Sequence, residues 1–191
     1  ITDVHIRFGG HDWTKTNQHF VLPYTAYTLF DEFTDRPAVL ERGRIKMVDP
    51  MSGQDMCIFP KPVGKKTCFY TLHSELATIP NFLQNKGLKN CSFRVCFPDD
   101  FVHDMKLLIE LGMTSNKPMK IGKQTVIPRD VTAKELNRTA RPAATTQIKD
   151  LELIWVDLEG ISKGKKRRLS IYCTAKSNAK WNASAGSVDT A

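Results

Sequence analysis

Apolar and polar residues alternate from Thr2 to Phe8, with Val4, Ile6 and Phe8 on one side and His5 and Arg7 on the other. That period marks a half-buried strand, and Gly9-Gly10 is expected to end it. After a polar loop, Tyr27, Leu29, Phe30 and Phe33 fall at helical spacing, so a short amphipathic helix is predicted ahead of Pro37. Ala38–Leu40 and Arg44–Val48 flank Arg42-Gly43 and read as a hairpin. Residues 49–64 hold Pro50, Gly53, Pro60, Pro62 and Gly64, which predicts a loop crossing the surface. Phe69–Leu72 reads as a strand end. Ser74 then stands as an N-cap, with Glu75 in the first turn, where the helix dipole favours an anion. Leu76, Ile79 and Leu83 give that helix its apolar face, and Gly87 is its C-cap candidate.

Further on, Ser92–Phe97 reads as a strand. Pro98-Asp99-Asp100 opens a helix with Phe101, Val102, Met105, Leu108, Ile109 and Met113 as its apolar positions. Val126 and Ile127 are strand-like. Pro128-Arg129-Asp130 starts a third helix, in which Thr132 and Glu135 are spaced as a capping box. Residues 139–146 read as a linker. Ile148–Leu158 carries apolar residues on both faces, which predicts a strand covered on both sides and paired with Leu169–Thr174. Beyond Lys176 the chain is polar, with Trp181 as its anchor. Strands and helices do not alternate regularly. A doubly wound parallel sheet is therefore disfavoured, and the expected fold is α+β with a mixed, mostly antiparallel sheet.

Length and composition fit this picture. The 191 residues are expected to form one domain, residues 1–191, with 41% hydrophobic and 25% charged residues. No apolar run reaches membrane-spanning length. The chain begins at Ile1 without a Met and is expected to be a piece of a longer one. The five cysteines, Cys57, Cys68, Cys91, Cys96 and Cys173, include no Cys-x-x-Cys, so no metal site is expected. They read as small buried hydrophobes in a reducing, cytoplasmic setting. The net charge of +8 gathers in Lys163–Arg168 and in Lys61, Lys65 and Lys66. Without interleaved aromatics these read as solvated hairpin tips, and a basic nucleic-acid module is the alternative.

Candidate chemistry is sparse. There is no Gly-x-Gly-x-x-Gly, so the chain shows no dinucleotide site of its own. Gly160–Lys165 falls one residue short of a phosphate loop and sits in a turn. His73 and Glu75 stand one residue apart at a strand-to-helix joint. A histidine near its ordinary pKa moves protons at neutral pH, and a nearby carboxylate orients the ring or holds an ammonium. The same two residues also serve simply as a packed side chain and a helix-dipole partner. Asp31-Glu32, beside Tyr24 and Tyr27, reads as a helix C-terminal surface. His103-Asp104 reads as an ordinary exposed pair.

The order of several segments resembles the saccharopine dehydrogenase family of NAD(P)-dependent oxidoreductases. They are Tyr24-Thr25 through Asp31-Glu32-Phe33, Arg36-Pro37-Ala38, Gly43 with Lys46, Phe59-Pro60, Val63-Gly64, Tyr70 with His73-Ser74-Glu75, Thr78-Ile79-Pro80, Phe93-Arg94, Leu108–Gly112 and Ile127-Pro128-Arg129. The likeness covers the part of the family that follows the nucleotide domain. It implies a substrate-binding and dimerisation domain, cut at both ends, with NAD or NADP held mainly by a Rossmann domain absent from this chain. The isolated piece is expected to be inactive. The implied reaction is hydride transfer between the cofactor and the amine or imine carbon of an amino acid or related amine.

The resemblance also implies site roles. His73 and Glu75 would be catalytic, and Tyr24, Tyr27, Ser74 and Thr78 would bind substrate. The implied partners are a small amine and a second copy of the chain, without membrane or nucleic acid. Saccharopine-forming relatives carry an arginine near Tyr27 and an Asn-Arg pair near Ser74-Glu75. Their absence here points to a substrate with fewer carboxylates. A catalytically silent dimerisation domain is the other reading.

Overall fold

The protein is described here by a computed structural model covering residues 1–143 and 146–177. In chain order its elements are β1 (Asp3–Asp12), α1 (Ala26–Thr34), β2 (Ala38–Glu41), β3 (Arg44–Met47), β4 (Asp55–Ile58), β5 (Lys65–Tyr70), α2 (Glu75–Leu83), β6 (Asn90–Cys96), α3 (Asp99–Glu110), β7 (Met119–Ile121), β8 (Gln124–Val126), α4 (Pro128–Thr139), β9 (Asp150–Ser162) and β10 (Lys165–Lys176). They fall into two compact units, the first made of Ile1–Asp12, Asp35–Phe97 and Asp150–Lys176.

The first unit holds an eight-stranded sheet in the order β10-β9-β1-β6-β2-β3, with β5 also on β6 and β4 on β5. Only β1 and β6 run parallel; the other pairs in this sheet are antiparallel. The expected mixed, mostly antiparallel α+β arrangement is what forms. Strand alternation gives the sheet two distinct faces. One face carries Val4 and Ile6 opposite Cys91 and Phe93, all buried, and α2 lies against β2 and β6. The other carries a second core of Cys57, Phe59, Val63, Cys68, Leu151 and Leu153, with Trp155 packed on it. Each fully buried Val, Ile, Leu or Phe among them contributes roughly 1.5–3 kcal/mol.

Several expectations change. Gly9-Gly10 does not end β1: the two residues pair with Leu153 and Glu152. A Cβ on Gly9 would stand 3.0 Å from the Phe59 ring, so the glycine is what lets that ring lie on the strand. The loop expected over residues 49–64 contains β4, whose Cys57 is inserted in the second core. Strand β9 is not covered on both sides, since Ile154 is exposed and so is every position of β10. The cysteines are not all small buried hydrophobes. Cys68 and Cys96, directly opposite on β5 and β6 with Cα atoms 4.2 Å apart, are bonded as a disulfide, and Cys173 is exposed. Gly87 does close the turn after α2 in the left-handed region, at φ 90°.

The described part of the second unit comprises Trp13–Thr34, Pro98–Lys149 and Ser177. Helices α1 and α4 pack together, Phe20 stacks on Phe101 at 4.9 Å, and Phe33 meets the same ring edge-on. The strand-like Val126 belongs to the β7–β8 hairpin, which the pattern did not predict. The capping box at Thr132 and Glu135 is also corrected. Pro128 opens α4 at its first turn, so Thr132 lies buried in the helix body and Glu135 pairs with Arg138. Trp181, expected as an anchor, lies outside the described residues.

Crowding at Gly9 gives a direct check. Gly9→Ala is expected to cost about 1–3 kcal/mol in chemical denaturation, because the buried Phe59 ring must shift. In a Phe59→Leu background the loss should shrink, as expected for two groups in contact.

Candidate functional site

His73 and Ser74 form the joint between β5 and α2, with Glu75 and Thr78 following in α2. The His73 ring stacks on Phe93 at 3.8 Å, and its Nδ1 lies 3.6 Å from Glu75 Oε2. Burial pushes the His73 pKa below its ordinary value of 6.5, and the Glu75 carboxylate acts in the opposite direction. The imidazole is therefore neutral at pH 7 and is able to accept a proton. Ser74 is exposed. Thr78 Oγ1 donates to the carbonyls of Ser74 and Glu75, so this hydroxyl also serves its own helix.

Tyr24 and Tyr27 belong to the second unit, where they organise a polar cluster. Tyr24 donates its hydroxyl to Glu32, and Tyr27 donates to Asp130 Oδ1 at 3.0 Å. Buried Arg129 donates to the Tyr27 carbonyl at 2.9 Å and to Asp31, and its guanidinium lies 5.5 Å from the Tyr27 ring centroid. The expected solvated surface at Asp31-Glu32 is thus corrected. Glu32 is only 5% exposed, and burial pushes its pKa up to about 7, while the Tyr24 hydrogen bond opposes and Asp31 assists. The sequence reading placed Arg129 at the start of a helix and among the segments of the resemblance but gave it no site role; its burial on α4 is what the structure adds.

The densest polar constellation lies on the second face of the sheet in the first unit, and no motif announced it. Asp157, 4% exposed, accepts from Arg7 Nη1 at 2.7 Å, Arg168 Nη2 at 3.0 Å, Trp155 Nε1 at 3.0 Å and the Ser170 hydroxyl. These bonds hold its carboxyl well below the usual range against the opposing effect of burial. Arg94, in register with Arg7, lies over the Tyr70 ring at 4.1 Å, donating to the Tyr70 hydroxyl, Ser92 Oγ and the Gly53 carbonyl. Gly53 is required there, since a Cβ would fall 2.0 Å from the Tyr70 ring. Phe93 and Arg94 are consecutive strand residues, so the histidine station and the arginine face lie on opposite sides of the sheet.

A dinucleotide is not accommodated by these residues. The β5–α2 joint carries Leu72-His73-Ser74 in place of the glycines that let a pyrophosphate approach a helix N-terminus, and Gly160–Lys165 forms the β9–β10 turn. Among the described residues no helix is long and apolar enough to cross a membrane.

No family model and no curated protein matches this sequence. Among solved structures, the chain is similar to apo histidine-tagged saccharopine dehydrogenase (L-Glu forming) from Saccharomyces cerevisiae, with a TM-score of 0.59 at 12% identity. The likeness covers 90% of this chain and 53% of that one, so the chain spans about half the length of its structural neighbour. The fold resembles that of a saccharopine dehydrogenase domain.

Glu32 yields a pH test. Between its ordinary 4.5 and about 7, the unfolded chain releases the proton that the folded chain retains, so stability falls as pH rises through this window, by roughly 3 kcal/mol. Glu32→Gln is expected to remove that component. Thermal melts of the two proteins across this range should show the wild-type midpoint dropping relative to the variant.

Proposed function

We propose that this chain is the substrate-binding part of a saccharopine dehydrogenase-like oxidoreductase that acts on the amine carbon of an amino acid or related amine. The observation that carries the reading is the structural likeness over 90% of the chain, together with the order of segments that resembles the same family. The nicotinamide cofactor, NAD or NADP, belongs to a separate domain and supplies the hydride chemistry. The role left to this chain is to bind the substrate and manage its proton.

In this reading neutral His73 accepts a proton from the substrate ammonium, freeing the nitrogen lone pair that the oxidation requires. Glu75 orients the ring and balances the imidazolium that forms. Phe93 fixes the ring plane from behind. Ser74 and Thr78, beside His73 in the first unit, contribute hydroxyls for substrate contacts. A homodimer belongs to the same reading, with the exposed edge strand β10 as the surface offered to a second copy.

In the full-length protein, His73→Asn is expected to lower kcat by about 10²–10⁴-fold with little change in KM. The acidic limb of the rate profile, set below pH 6.5 by the buried imidazole, should vanish with it. Unchanged turnover would remove His73 from the chemistry. Absence of turnover by the wild type across a panel of amines would favour the silent dimerisation domain.

A further inference from the structure

Strand β10 opens on the densest basic run of the chain, Lys165-Lys166-Arg167-Arg168, and Leu169-Ser170 follows it directly. Among the described strands β10 pairs with β9 alone, and every one of its residues is exposed. Its outer rim of backbone N–H and C=O groups is therefore open, as on any sheet edge. Alternation along the strand puts Arg168 and Ser170 on the face of Asp157, and Arg167, Leu169 and Ile171 on the other. Arg168 pairs with Asp157. Among the described residues Lys165, Lys166 and Arg167 form no ion pair, so their charges are open to a partner.

A protein kinase that selects basic substrates holds the acceptor segment extended. Its acidic side chains meet cations shortly before the hydroxyl, and an apolar pocket takes the residue after it. Around Ser170 each requirement is present. Arg167 and Arg168 stand three and two positions before it, exposed Ile171 follows it, and the segment is already extended as an edge strand. The pattern selects one hydroxyl of the hairpin. Ser162 and Thr174 have Glu159-Gly160 and Ile171-Tyr172 at the same two positions, and Arg-Arg occurs nowhere else in the sequence. The Ser170 hydroxyl donates to Asp157, so it must leave that carboxylate to react. Local peeling of β10 supplies the opening, since a strand with few buried contacts opens first.

We propose that Ser170 is a phosphorylation site for a serine kinase of basic specificity, and that its phosphate releases β10 from β9. In the transfer, Ser170 Oγ bonds to the γ-phosphorus of ATP and the bond from that phosphorus to the β–γ bridging oxygen breaks. ADP leaves, and the hydroxyl proton passes to the base of the kinase. The unmodified hydroxyl is one of the donors that neutralise buried Asp157, with Arg7, Trp155 and Arg168. Phosphorylation removes that donor and sets a charge of about −1.5 to −2 beside the carboxylate. The phosphate also competes for Arg168 and Arg7, which both bind Asp157. Exposed β10 has no apolar burial to offset these losses, so its hold on β9 weakens. A second copy paired on the β10 edge would shield Ser170, so the unpaired chain is the form modified. The site rests on the sheet of the first unit and stands independently of the oxidoreductase reading.

The test incubates the full-length protein with MgATP and the catalytic subunit of cyclic-AMP-dependent protein kinase, which selects basic segments. Casein kinase 2, which selects acidic ones, is the comparison. Intact mass and fragment mapping should show a phosphoryl group on Ser170 from the first kinase and none there from the second. Ser170→Ala should abolish it. Arg167→Gln, at an exposed position, should slow it by at least about tenfold while the melting temperature stays unchanged. Hydrogen exchange should then show the β10 amides of the phosphorylated protein opening at least about tenfold faster, with those of β6 unchanged. Ser170→Ala, which removes the donor without adding charge, should give a smaller effect. No incorporation, incorporation elsewhere, or indifference to Arg167→Gln would overturn the site, and equal modification by casein kinase 2 would overturn its basic specificity. Phosphate on Ser170 with unaltered exchange in β10 would overturn the release.

Discussion

The carboxylate of Asp157 is the constraint on which the sheet of the first unit depends. A buried ion costs several kcal/mol unless its lone pairs are filled. Here they are filled from three adjacent strands: Arg7 on β1, Trp155 on its own strand β9, and Arg168 and Ser170 on β10. A one-residue slip of β10 against β9 would turn Arg168 and Ser170 to the other face and strand the charge. Register, and with it the placement of every side chain on the long hairpin, is thereby tied to one residue. The exposed β10 has no apolar burial of its own with which to fix that register.

Much of this framework could be read from the chain, and the exceptions share a physical character. Periodicity found β1, α1, α2, β6, α3 and β9 because each buries one stripe or one face, while turn and helix-start residues marked the β2–β3 hairpin, β10 and α4, although β3 and β10 are exposed throughout. It failed where tertiary contacts overrule local preference. Gly9 and Gly10 look like a strand end, yet they continue β1 because the Phe59 ring needs the space that a side chain would take. Strand β4 is hidden among prolines and glycines and is recognisable only through its pairing with β5 and through Cys57 in the core. The β7–β8 hairpin is too short to show a period. The Cys68–Cys96 bond joins residues 28 positions apart, a proximity that only the β5–β6 register creates.

The same distinction applies to the chemistry. His73 and Glu75 were legible because they are neighbours in sequence at a recognisable joint. Arg7, Arg94, Asp157 and Arg168 were not, because they come together from four strands spread over most of the chain. Arg129 was hidden for the same reason, meeting Tyr27 and Asp31 across about a hundred residues. Local pattern exposes chemistry carried by adjacent residues and is blind to chemistry assembled by sheet order.

The two faces of the sheet also differ in what stability alone would select. One is a conventional core of Val4, Ile6, Cys91 and Phe93. The other keeps three arginines, an in-register like-charge pair and a saturated aspartate, although well-packed apolar residues are often equally or more stabilising in such positions. Arg94 illustrates the cost of retention: its charge is held by a tyrosine ring, and that ring in turn demands a glycine with φ 61° at position 53. An arrangement in which one cation dictates the ring above it and the backbone beyond it does not arise from packing. The stacked Tyr70 and the four-donor Asp157 are thus the means by which the sheet keeps Arg94 and Arg7 oriented on this face.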